Sequence, residues 1–154
     1  MADRPREGAG ACGGNQTSKS PRYHHPAPPG GTIETLREFH EVWAYVAIVA
    51  NAVAGLVALA AYRAHALRGR LVWGLVIGAE VAMLLEIGVG LILVSGDRYT
   101  AARFHVFYGI VTFITIAGAY AYRKSMRGRA ELYYGLIGLF IMGLGIRAII
   151  EVTM

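Results

Sequence analysis

The sequence predicts an all-α integral membrane protein whose four transmembrane helices form two tandem parallel-repeat helical hairpins and, together, a four-helix bundle. Three observations carry that fold class. The 154-residue chain is 55% hydrophobic and only 16% charged, outside the usual range of soluble domains. It contains four apolar runs long enough to span a bilayer, none with the alternation of a strand. Landmarks of the first half return in order in the second: Phe39-His40 as Phe104-His105, Ala61-Tyr62-Arg63 as Ala121-Tyr122-Arg123, Arg68-Gly69-Arg70 as Arg127-Gly128-Arg129, and Trp73-Gly74-Leu75 as Tyr134-Gly135-Leu136.

Residues 1–31 are rich in Gly, Pro, Ser and charge, bury too little apolar surface to offset the cost of ordering, and are expected to be disordered. They lack the apolar segment of a cleavable signal peptide. Cys12 is the single cysteine and follows no hydrophobic stretch, which leaves no internal disulfide, no multi-cysteine metal site and no expectation of lipidation. His24 and His25, beside Pro-rich sequence, read as solvated.

The first crossing is Val42–Tyr62, preceded by polar helical turns over Glu34–Glu41 that Thr32 or Thr35 can cap. The second, Leu71–Val94, carries only two charges, Glu80 and Glu86, ends in the turn chemistry of Ser95-Gly96-Asp97, and is expected to be the stretch around which the rest packs. The third runs over 104–122 and the fourth over 132–153. Trp43, Trp73, Tyr62, Tyr122 and Tyr134 lie near the ends of these runs, where amphipathic rings prefer the interface. Arg63, Arg68 and Arg70 crowd the first connection, and Arg123, Lys124, Arg127 and Arg129 the third. The positive-inside bias therefore places both connections in the cytoplasm and both termini outside. The net charge of +5 sits in these short clusters, which argues against nucleic acid as a partner.

Polar residues within the runs are the candidate functional residues. Glu86 lies on the fourth-residue row Gly74, Gly78, Ala82, Glu86, Gly90, and Arg147 on the corresponding row Gly135, Leu139, Gly143, Arg147, Glu151. Small residues on both rows let helices approach closely, so Glu86 and Arg147 are expected to form an intramembrane ion pair, with Glu151 as a second acceptor. Read structurally, the pair fixes helix register; read functionally, it serves transport or a proton relay. Glu80 lies about 120° around the helix from Glu86 and is left to be protonated, or to meet Tyr120 or a partner subunit. Asn51 reads as an interhelical hydrogen-bonding contact. His40 and His105 occupy equivalent repeat positions at the outward end, with Glu41 and Glu151 at similar depth. Such a pair either anchors the helix ends or ligates a cofactor, with haem b the candidate. The first helix is five residues longer than the third between its His and its Arg, about 7 Å, which counts against a clean bis-histidine site.

No nucleophilic triad, phosphate loop or dedicated metal motif is present, and no enzymatic activity is expected. Three functions remain, in this order: an accessory or structural subunit of a membrane complex, a redox protein holding one haem or metal, and a small transporter that works as an oligomer. The lipid bilayer and other membrane subunits, or further copies of the chain, are the expected partners. The Ala-, Gly- and Arg-heavy composition points to the bacterial inner membrane.

Overall fold

The computed structural model describes residues 31–95 and 103–153. The expected disorder of the tail falls, except for Gly31, outside them, as does the turn beyond Ser95. The described residues form four helices, α1 Gly31–Arg63, α2 Arg70–Ser95, α3 Arg103–Tyr122 and α4 Ala130–Thr153, with one 3-10 turn at His65–Leu67. All four are long and apolar enough to cross a membrane. α1 begins well before its apolar run, so Thr32 and Thr35 lie inside it, and the Thr35 hydroxyl donates back to the Gly31 carbonyl at 2.6 Å. The other three helices end within two residues of the apolar runs that predict them.

The exterior is as apolar as the interior. Val42, Leu71, Leu91, Phe104 and Ile114 are each more than 60% exposed, the distribution that suits lipid and costs free energy in water. The core is built instead from small residues. Ala47, Ala54, Ala58 and Ala61, with Gly55, line the buried face of α1, and their size lets two neighbours approach closely.

α1, not α2, is the helix around which the others pack. It lies along both α2 and α4; α3 lies along α4; α2 meets α3 and α4 at only a few points. A two-fold relation between the repeats would make the α2–α3 contact resemble the α1–α4 contact, and the packing departs from that symmetry. The α1–α4 crossing is the tightest. A Cβ added at Gly55 would stand 2.9 Å from the Gly135 carbonyl, and one at Gly138 would stand 3.1 Å from the Asn51 carbonyl.

Gly74 and Gly78, by contrast, have nothing within 4 Å of their missing Cβ positions. They open onto a shallow apolar groove whose other wall is Tyr45, Val49 and Val53 of α1. A fourth-residue row winds about 40° around the helix at each step. Gly74 and Glu86 therefore face different directions although they share a row, and the small-residue rows of α2 and α4 do not meet.

Candidate functional site

Among the described residues the buried polar side chains are Asn51, Glu80, Glu86 and Thr112. Both acids belong to α2, where they flank its buried face, and each meets a different set of neighbours. Call the end of the bundle that carries the first and third connections the basic end, and the other the histidine end.

At the histidine end the partner of Glu86 is His40 of α1. Nδ1 of His40 lies 2.9 Å from Oε1 of Glu86, with both side chains largely buried. The approach is short without being aligned as a hydrogen bond, and Nδ1 of His40 and Oε2 of Glu86 have no hydrogen-bond partner. His40 packs onto the bare backbone of Gly90, whose missing Cβ would stand 3.0 Å from Cε1 and 3.5 Å from Nε2. Trp43, one turn on, donates from Nε1 to the Ala82 carbonyl at 3.0 Å and fastens this part of α1 to α2. His105 of α3 stands edge-on to His40 with ring centroids 6.0 Å apart, and its own Nδ1 lies 3.1 Å from the Ala148 carbonyl. The two histidines thus meet despite the unequal lengths of their helices.

The expected ion pair between Glu86 and Arg147 is not formed. Arg147 turns to the outside, with its side chain 53% exposed, and lies 3.5 Å from Glu151 one turn along α4. The reason is topological: α1 packs between α2 and α4, so a base on α1 reaches Glu86 while one on α4 does not. Arginine carries its charge on a long stem and can lay its apolar part along the helix while the head leaves the core. Glu41 is likewise drawn off, 2.8 Å from Arg37 on the exposed side of α1.

Toward the basic end, Glu80 is buried and its Oε2 has no hydrogen-bond partner. Tyr120 of α3 is its polar neighbour, and Tyr134 of α4 and Arg123 lie within electrostatic reach of the same cluster. The Tyr134 hydroxyl donates to the Ala119 carbonyl at 3.3 Å, and its ring stands edge-on to Trp73 and Tyr120. Beyond the tyrosines a cleft of about 330 Å³ opens between α2, the end of α3 and the start of α4, bordered by Trp73, Ile77, Arg123, Lys124, Arg127 and Ala130. Between the two acids, Asn51 donates from Nδ2 to the Ala47 carbonyl at 2.9 Å and to the Ala79 carbonyl at 3.0 Å, joining α1 to α2.

Nδ1 of His40 lies against Glu86 and its Nε2 near the missing Cβ of Gly90, so the nitrogen-bearing edge of the ring is turned to α2. Trans ligation needs a nitrogen of each ring aimed at a common centre. Among the described residues no three His, Cys, Asp or Glu side chains gather closely enough to hold a metal ion. What the site offers chemically is proton exchange: an imidazole against a carboxylate at one end, a carboxylate against a phenol at the other.

His40 was legible as a site residue, but its role as the partner of Glu86 was not. Gly55 and the alanine stripe of α1 were also missed. The signal was present in the helical spacing of Ala47, Ala54, Ala58 and Ala61. No known family model, curated protein or solved structure matches the chain.

Proposed function

We propose that the protein is a small multi-pass membrane protein that moves protons, alone or coupled to a solute, through ionisable side chains held on α2. The observation that carries this reading is the burial of Glu86 against His40 inside an apolar bundle. A buried charged or chargeable pair adds little to stability compared with packed apolar side chains, and ionisable residues inside a membrane are by default functional. Glu80 supports the reading as a second station, six residues or about 9 Å along the same helix. Tyr120 and Tyr134 connect it to the cleft at the basic end. His105 and His40 serve the opposite end.

The test is proton flux. Purified protein reconstituted in liposomes with an entrapped pH-sensitive dye, under a potassium diffusion potential, is expected to pass protons faster than empty vesicles. Glu86→Gln and Glu80→Gln should each reduce that flux on the order of tenfold, with Arg147→Gln close to the parent. The same preparation is expected to show no Soret absorption; a Soret band lost in His105→Ala would return the haem reading to first place.

A second reading, a subunit of a larger membrane complex, is favoured by the open groove at Gly74 and Gly78, whose bare backbone would let a partner helix approach closely. Absence of flux above empty vesicles, together with stoichiometric co-purification of other membrane proteins from the native host, would decide for it. Under either reading the basic end faces the cytoplasm and both termini face outward. Cysteines introduced at Gly69 and Gly96 are then expected to label from opposite sides of intact membranes, Gly96 from outside; labelling of both from one side would overturn the topology.

A further inference from the structure

The two basic connections have different fates. In the first, Arg68 is used internally: its Nε donates to the Ala61 carbonyl at 3.2 Å and lies 3.7 Å from Glu131 at the start of α4. In the third, none of Arg123, Lys124 and Arg127 has an ion-pair partner among the described residues. All three border the cleft enclosed by α2, the end of α3 and the start of α4, at the place where α2 and α3 scarcely pack on each other. Behind this basic rim the walls are the aromatic rings of Trp73, Tyr120 and Tyr134 and the apolar side chains of Val76 and Ile77. The cleft is thus cationic at the end of the bundle and apolar going inward.

We propose that this cleft holds one anionic phospholipid, with its phosphate on Arg123, Lys124 and Arg127 and an acyl chain descending past Val76 and Ile77 between α2 and α3. The proposal rests on the membrane reading and puts the lipid headgroup at the cleft onto which the proposed proton route opens, so lipid retention and proton flux are measured separately. Charge and depth both select the ligand. Arginine binds phosphate oxygens through a planar fork of donors, lysine adds a point charge, and both stand at the helix ends where headgroups lie in a bilayer. A freely soluble anion would satisfy the rim but would leave the apolar walls and the gap between α2 and α3 uncovered. A cationic ligand would meet three like charges on its way in. An acyl chain would cover the exposed side chain of Ile77 at the mouth of this gap.

Mass spectrometry of the intact protein, released from a non-ionic detergent with phosphatidylglycerol or phosphatidylcholine added, tests this directly. One phosphatidylglycerol should stay bound per chain, in preference to phosphatidylcholine. The paired substitution Arg123→Gln with Arg127→Gln should weaken retention roughly 30-fold, whereas Arg63→Gln with Arg70→Gln, an equal loss of charge on the other connection, should change it less than about threefold. Ile77→Trp leaves the cations in place and should also expel the lipid by filling the apolar wall, which keeps the test open if the paired variant fails to insert. Equal losses from the two paired variants, or equal retention of the two lipids, would overturn the proposal. So would displacement of the lipid by millimolar inorganic phosphate, which would identify a soluble-anion site instead.

Discussion

Replacing His40 by alanine is expected to destabilise the protein in detergent by on the order of 3 kcal/mol, because it leaves the Glu86 carboxylate buried without its partner. Glu86→Gln should cost less, about 1 to 2 kcal/mol, since the amide keeps the shape and some hydrogen-bonding capacity of the acid while His40 loses only an attraction. The two losses should not add. With both groups replaced, no uncompensated charge remains, and the double variant is expected to recover about 1 to 3 kcal/mol of the sum. The control is the pair that spacing alone suggests. Arg147→Gln should lie within about 0.5 kcal/mol of the parent and combine additively with Glu86→Gln, because Arg147 is half exposed and bonds within its own helix. Thermal unfolding of the parent, the three single variants and the two double variants, six proteins in one detergent, measures both cycles. Coupling of Glu86 to Arg147 in place of His40 would mean that α1 does not lie between α2 and α4.

Enlarging Gly55 or Gly135 should be strongly damaging, because each would press on backbone across the α1–α4 crossing. A Cβ at Gly55 meets the Gly135 carbonyl at 2.9 Å and the Leu139 nitrogen at 3.1 Å, both backbone atoms of α4 that cannot step aside. A Cβ at Gly135 meets Leu59 at 2.7 Å and the Gly55 carbonyl at 3.0 Å, so the helices must separate along their whole contact. Gly55→Ala is expected to cost about 1 to 3 kcal/mol, and Gly55→Leu to prevent a stable bundle. Gly78→Ala, with open space around it, should be neutral or stabilise the helix by up to about 1 kcal/mol. Melting temperatures in detergent order the three variants. If Gly78→Ala proves as harmful as Gly55→Ala, the groove on α2 is occupied, and a second copy or a partner helix has been displaced.

The histidine end shows how far local pattern reaches. That Glu86 and the histidines are unusual follows from the cost of a polar group in an apolar run, which needs no neighbour to be evaluated. Which base meets Glu86 depends on helix order, and the fourth-residue rows point to α4 only if small residues on two helices imply one shared contact. Gly74 and Gly78 face outward and Gly135 faces α1, so the inference failed at the step from composition to pairing. The basic end repeats the lesson: Arg68 and Arg123 carry the same topological signal, and only the packed bundle separates the one tied to Glu131 from the one left at a cleft.

Four helices long and apolar enough to span a membrane, the two basic connections and three of the buried polar residues, Asn51, Glu80 and Glu86, follow from the sequence by itself, whereas Thr112 is not singled out by it and Arg147 lies outside the core. Each of these follows from hydropathy and charge read along a single segment, and lipid imposes the same demand on every segment. The tertiary structure decided the centre of the bundle, the partner of each acid and the faces left open. These turn on which helices touch, and four helices of similar length and apolarity are nearly interchangeable by composition. A few close contacts break that equivalence. Gly55 against Gly135 and Gly138 brings α4 onto α1, and His40 on the bare backbone of Gly90 sets Glu86 beside an imidazole.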